Sequence, residues 1–192
     1  MHHEFNDLLR EIMLGLGYQE VLTFTLSNQD KLFARMNLSP ESVVDLQNPR
    51  VQTLTCLRNW LIPSLAEVLS ANVHVGYPQR VFETGDCVAR NGSKVKEVTK
   101  LAGVACHAES SFTEARASLD ALLSNLGLRA QLKGLEHGSF VEGRAAAIWV
   151  NETQAGIMGE IHPQVLENWG LQNPAAALEL DTQVLHAAAA NH

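Results

Sequence analysis

Apolar residues along the chain switch between two periods, and the switches mark out its elements. Phe5, Leu8, Leu9, Ile12, Met13 and Leu16 recur at helical spacing and so form one stripe of an amphipathic helix. Gly15 and Gly17 close that helix, as glycine does at helix C-termini. Residues 20–26 (EVLTFTL) predict a strand, being rich in β-branched and aromatic side chains. Ser27, with Asp30 three residues on, predicts the N-cap of a short helix to about Met36. Residues 43–46 predict a short strand leading into an Asn48-Pro49 turn. Leu61, Ile62, Leu65, Val68 and Leu69 then return to helical spacing. Burying these five would contribute about 1.5–3 kcal/mol each, before entropy. Pro63 fits that helix only in its first turn or at a kink. Tyr77-Pro78 ends the run, and residues 80–88 alternate, with Val81 and Glu83 on one face and Phe82 on the other.

The second half is mostly hairpins. Residues 98–106 predict a strand antiparallel to residues 80–90, with Asn91-Gly92 at the turn. Residues 112–126 carry a helical stripe closed by Gly127, and 128–132 suggest a short strand. Residues 144–150 and 155–161 flank Asn151–Gln154 as a second hairpin. A short helix at 163–169 and a last strand at 176–180 follow. The order α-β-α-β-α-β-β-α-β-β-β-α-β predicts an α+β fold, an antiparallel β-sheet flanked by helices. No internal repeat or linker breaks it. One domain over residues 1–186 is expected, then a flexible tail at 187–192.

A chain of 192 residues suffices for one core that buries about 70% of the unfolded surface. The net charge of −7 argues against a phosphate-gripping surface, which needs clustered Lys and Arg. Lys94, Lys96 and Lys100 come nearest to such a cluster, and a solvated hairpin turn explains them more simply. No apolar run approaches 18 residues, so no membrane span is expected, and the first residues do not read as a secretion signal. Cys56, Cys87 and Cys106 are odd in number and far apart. They suggest neither a disulfide framework nor a zinc knuckle and fit a reducing cytoplasm, and Cys87 and Cys106, in strand-like runs, are expected to be buried thiols. GLGYQE at 15–20 lacks a third glycine and follows a helix, so it is no nucleotide-binding loop.

Five residues carry candidate chemistry. Glu160 and His162, two apart on a strand, could act as an acid–base pair or metal ligands, or could cap the helix starting at Pro163. Arg144 could clamp a carboxylate or phosphate, or form an ion pair with Glu83, Glu142 or Glu160. Arg58 lies among apolar neighbours and must find an acceptor, within the chain or across an interface. Glu83 interrupts an apolar strand and needs a cation or backbone donors.

The same stretches resemble the beta subunit of archaeal and eukaryotic phenylalanyl-tRNA synthetases. In that family an NP turn, an LR-x-x-L-x-P-x-L helix, an asparagine and a PQ-x-x-FE-x-G strand follow in order. Here they are Asn48-Pro49, Leu57-Arg58, Leu61, Pro63, Leu65, Asn72, Pro78-Gln79, Phe82-Glu83 and Gly85. The family's F-x-x-GR-x-A-x-I is similar to Phe140, Gly143, Arg144, Ala146 and Ile148. Its G-x-x-GE-x-HP-x-VL-x-x-x-GL resembles Gly156, Gly159, Glu160, His162, Pro163, Val165, Leu166, Gly170 and Leu171, and its last E-L-D strand Glu179 to Asp181.

The resemblance implies a class II aminoacyl-tRNA synthetase-like fold whose first helix and strand form a subunit interface. It implies no catalysis in this domain, which would instead bind the catalytic alpha subunit in an α2β2 enzyme. VFETGD lacks an arginine paired to its glutamate as in ATP-holding strands, and AAALELDTQVL lacks a glycine-rich strand-helix with arginine. ATP and magnesium would serve the whole enzyme with none bound here, and tRNA would be met only through it. An isolated chain would expose its docking face and either self-associate or be poorly soluble. The alternative is a free-standing class II-like enzyme that activates an amino acid with ATP, with Glu83, Arg144 and Glu160 around one pocket. A nucleic-acid-binding module is a third, weaker reading.

Overall fold

The computed structural model describes residues 2–91 and 94–190. Helix α1 (His2–Gly15) opens the chain. Short strands β1 (Gln19–Glu20) and β2 (Leu26–Ser27) lead to α2 (Gln29–Leu32) and a 3-10 turn at Ala34–Met36. Strand β3 (Cys56–Leu57), helix α3 (Ile62–Ala71) and the long strands β4 (Gln79–Asn91) and β5 (Lys94–Cys106) follow. Then come α4 (Phe112–Asn125), β6 (Gln131–Gly134), β7 (Phe140–Val150), β8 (Thr153–Ile161), α5 (Pro163–Asn168), β9 (Ala175–Asp181) and α6 (Thr182–Ala189). Seven strands form one sheet in the order β1-β4-β5-β9-β8-β7-β6, all pairs antiparallel except β1 with β4.

The sheet is the middle of three layers, because both of its faces are apolar. Ile62, Leu65 and Leu69 of α3, Leu61 at its N-cap, Met36 and Val165 cover one face through Val81, Cys87, Ala102 and Val104. Leu9 and Met13 of α1, Leu119 and Leu122 of α4 and Leu185 of α6 cover the other through Phe82, Leu101, Met158 and Leu178. Strand β9, between β5 and β8, is buried from Ala175 to Leu180 on both faces, apolar throughout except at Glu179. Pro63 lies in the first turn of α3, where its missing N–H costs nothing. Four of the five apolar positions expected on that helix are buried, and Val68 is half-buried at its edge.

Several expectations are corrected. The strand expected over 20–26 pairs only at its ends, as β1 and β2. Val21 N still donates to Phe82 O at 2.9 Å, but Thr23 N turns to the carboxylate of Glu83, so a side chain replaces the ladder. The N-cap of α2 is Asn28, whose Oδ1 accepts from Lys31 N at 2.9 Å, not Ser27. Residues 43–46 contribute a single bridge, Asp45 to Cys56, and the short strand near 128–132 lies instead at β6. Helix α6 continues through residues 187–189, within the expected tail, with Ala188 buried. The β7–β8 turn has φ of 46° at Asn151 and 64° at Glu152, as a two-residue hairpin with both central residues left-handed requires. The β4–β5 register runs to Asn91↔Lys94; the expected Asn91-Gly92 turn falls on residues 92–93, outside the described residues.

Candidate functional site

Glu83 and Arg58 meet on the α3 face of the sheet. Arg58 Nη2 donates to Glu83 Oε1 at 2.8 Å, with both side chains 2% exposed. Arg58 Nε donates to the Asp86 carbonyl at 2.9 Å and Nη1 to Thr23 Oγ1 at 2.6 Å. Thr23 Oγ1 in turn donates to Glu83 Oε2 at 2.6 Å. Every polar atom of the guanidinium thus has an acceptor, the condition for burying a charge. Gly85 makes the space: a β-carbon there would collide with Arg58 Nη2 and Glu83 Oε1. The counter-ion of Glu83 therefore comes from the segment before α3 and not from β4 itself.

A second buried carboxylate lies two strands away. Glu179 Oε2 accepts from Leu61 N at 2.8 Å and Ile62 N at 3.1 Å, at the start of α3. Its Oε1 accepts from Lys100 Nζ at 2.7 Å, and Lys100 also donates to the Asn59 carbonyl at 3.0 Å. Burial pulls the Lys100 ammonium down, but the charge and hydrogen bond of Glu179 outweigh it and its pKa ends above the ordinary lysine value. A cavity of about 370 Å³ opens beside this pair, lined by Trp60, Lys100, Gly156, Ile157, Glu179 and Asp181. A phosphate entering it would meet two carboxylates and one ammonium that is already engaged. The sequence reading missed Glu179 and Lys100 as partners, although a glutamate inside AAALEL carried the same signal as Glu83.

Arg144 and Glu160 lie on the opposite face. Arg144 Nη1 donates to Glu160 Oε2 at 2.6 Å, and Glu160 Oε1 accepts from Phe112 N at the start of α4 at 2.8 Å. The arginine is 62% exposed and the glutamate 15%. The sheet stands between this pair and Glu83, so the pocket expected around Glu83, Arg144 and Glu160 does not form. His162 is separated as well. It lies one residue beyond β8, where the alternation of the strand no longer applies. Its Nδ1 accepts from Gln164 N at 3.1 Å as the N-cap of α5, with Asn37 Nδ2 at 3.4 Å. Glu160 therefore caps α4, not α5, and the two make no acid–base pair.

Lys100 is drawn in to Glu179, which leaves Lys94 and Lys96 exposed without it. The three cysteines are free and buried. Burial raises the Cys87 thiol to about 12 and Cys106 to about 11. Burial also raises Cys56, with Asp45 adding to it. Among the described residues no group of three or more His, Cys, Asp or Glu could hold a metal ion, and no helix is long and apolar enough to cross a membrane.

The chain is similar to named proteins over most of its length. It is 44% identical over 180 residues to the phenylalanine–tRNA ligase beta subunit of Thermococcus sibiricus, covering 92% of this chain and 32% of that protein. The beta subunit of Pyrococcus horikoshii is 44% identical over 186 residues, covering 95% of this chain and 34% of that protein. That of Thermofilum pendens is 39% identical over 184 residues, 94% of this chain and 33% of that protein. The chain thus spans about a third of the length of the relatives it matches. Residues 1–182 match the family model described as the phenylalanyl tRNA synthetase beta chain CLM domain. On this match and these identities, the chain belongs to the phenylalanyl-tRNA synthetase beta-chain family, in its CLM domain.

Proposed function

We propose that this chain is the non-catalytic, class II synthetase-like core domain of a phenylalanyl-tRNA synthetase beta subunit. It binds the catalytic alpha subunit in a cytoplasmic α2β2 enzyme that attaches phenylalanine to its tRNA with ATP. ATP and magnesium act elsewhere in that enzyme, and tRNA is met only through the assembly. The observation that supports this most is the state of the cations. Arg58 and Lys100 are tied to Glu83 and Glu179 on one face, and Arg144 to Glu160 on the other. Amino-acid activation needs positive groups free to meet charge developing on a phosphate, and these three are already neutralised.

The test has two arms. Co-expressed with the alpha subunit of the same organism, the chain is expected to co-purify with it. Titrated with ATP and phenylalanine in a calorimeter, the chain alone is expected to give no heat. Micromolar binding of ATP that Arg144→Ala abolishes would overturn the reading in favour of a free-standing activating enzyme.

A further inference from the structure

The cavity beside Lys100 and Glu179 crosses three neighbouring strands. Lys100 of β5 is the register partner of Asp181 on β9, and Glu179 of β9 is the partner of Ile157 on β8. Trp60 and Gln154 complete a lining around about 370 Å³, within the about 300–1,000 Å³ of small-ligand sites. Trp60 Nε1 donates to the Leu32 carbonyl at 3.2 Å, and its ring meets His137 edge-on. The ring is thus held in place and its one donor is used, so towards the cavity it offers carbon only. Ile157 is half-buried beside it and Gln154 is exposed.

The polar groups around this space are out of balance. Both oxygens of Glu179 are engaged, one by two amides and one by Lys100. Lys100 commits N–H groups to Glu179 and to the Asn59 carbonyl, which leaves it one. Asp181 caps α6 through Oδ1 alone, accepting from Gln183 N at 2.8 Å and Val184 N at 3.2 Å. Among the described residues its Oδ2 has no partner, and neither has the Gln154 side chain. Asn59 Oδ1, one residue before Trp60, is buried without a hydrogen bond. Lys96 lines a second cavity that shares Asp181, and among the described residues no ion pair joins the two. The lining therefore carries two carboxylates against one ammonium, and most of its unmet groups are acceptors. An alkylammonium is the complement, with three donors and no acceptor, and an aromatic ring beside it adds cation–π attraction.

We propose that this cavity binds a small organic cation, a primary ammonium on an apolar stem. The ammonium donates to Asp181 Oδ2 and the Gln154 side-chain oxygen, and the stem lies against Trp60 and Ile157. The site needs neither the alpha subunit nor a nucleotide, so it goes beyond the function proposed above. Its charge also sorts ligands. A zwitterionic amino acid would set its own carboxylate against Glu179 and Asp181, with a single N–H of Lys100 to offset that. Phenylalanine is therefore refused where a plain amine is admitted. The ammonium can arrive on a free aliphatic amine or on a lysine side chain, which share this chemistry.

The test is calorimetry of the chain with butylamine, putrescine and a lysine blocked at both its α-amino and carboxyl groups. Butanol and phenylalanine are the controls. The amines are expected to bind and the controls to give no heat. Tighter binding of butylamine and putrescine supports a free amine as the source, and tighter binding of the blocked lysine supports a protein side chain. Asp181→Asn keeps the cap of α6, because asparagine caps as well, and removes the open charge. It is expected to weaken amine binding roughly tenfold or more, the scale of a hydrogen bond to a charged group, with melting unchanged. Glu109→Gln, exposed beyond the other end of β5, removes an equal charge and is expected to leave binding as it was. Equal weakening by both variants would trace the attraction to the net charge of −7 and overturn the site. No heat with any amine, or butanol binding as tightly, overturns it too. Phenylalanine binding as tightly as butylamine overturns the cationic assignment. Co-purification with the alpha subunit reads the proposed function separately, so either can fail without the other.

Discussion

Arg58 and Glu83 hold each other at 2.8 Å with both side chains 2% exposed. Removing one partner leaves the other charged and buried. Glu83→Leu is expected to destabilise the domain by about 3–5 kcal/mol. The Arg58→Met/Glu83→Leu double variant is expected to recover most of that loss, since a packed apolar replacement is near neutral. Urea unfolding of the two singles and the double reads the coupling directly. Equal and additive losses would contradict a private pair.

Glu179 joins three things: the first two amides of α3, Lys100 and strand β9. Glu179→Ala should therefore cost about 3 kcal/mol or more, because an ammonium and two amides lose their acceptor together. Glu179→Gln keeps an oxygen for the amides and should fall between that variant and the unchanged chain. Denaturant midpoints order the three proteins.

The His137 ring meets Trp60 edge-on at 5.8 Å between centroids and lies tilted against Phe140 at 5.2 Å. Burial holds its pKa below 6.5, with Glu179 and Glu41 partly opposing that. The unfolded chain thus takes up this proton near pH 6.5 and the folded chain only at lower pH. The contribution of His137 is intact above about 6.5 and is lost as pH falls from there toward its folded value. Thermal unfolding between pH 7.5 and about 5 is expected to show a shallower acid loss for His137→Gln than for the unchanged chain.

The thiols of Cys87 and Cys106, pushed to about 12 and about 11, are protonated at neutral pH, and only the thiolate attacks. An aromatic disulfide reagent at pH 7.5 is expected to leave the folded chain almost untouched and to modify all three cysteines once urea is added. Fast reaction of the folded chain would show a thiol far more open than burial allows.

How much was legible depended on whether the signal was local. Helix α3, with Pro63 in its first turn, and the two long hairpins follow from spacing and turn chemistry within a few residues. The split of residues 20–26 was not legible, because Thr23 leaves the ladder for Arg58 and Glu83, 35 and 60 residues away. At the site, Glu83, Arg58, Glu160 and Arg144 were found as charges in need of partners, since an isolated charge in an apolar run announces a cost. For Arg144 the sequence offered Glu83, Glu142 and Glu160 and the structure takes Glu160, while Arg58 and Glu83 were not matched to each other, because the choice depends on which face of the sheet each side chain takes. Alternation places Glu83 with Val81, and only the full strand order puts Glu160 on the far side.

Gly85 decides what this face of the sheet can become. A hydrogen where other residues carry carbon leaves a slot in which a guanidinium lies flat on the strand. Once Arg58 occupies it, the slot is shut to any visitor. Reopening it as a reaction chamber would require evicting the arginine and finding Glu83 another counter-ion. Whichever change came first would strand a charge in the interior, so neither residue can be exchanged without the other at small cost.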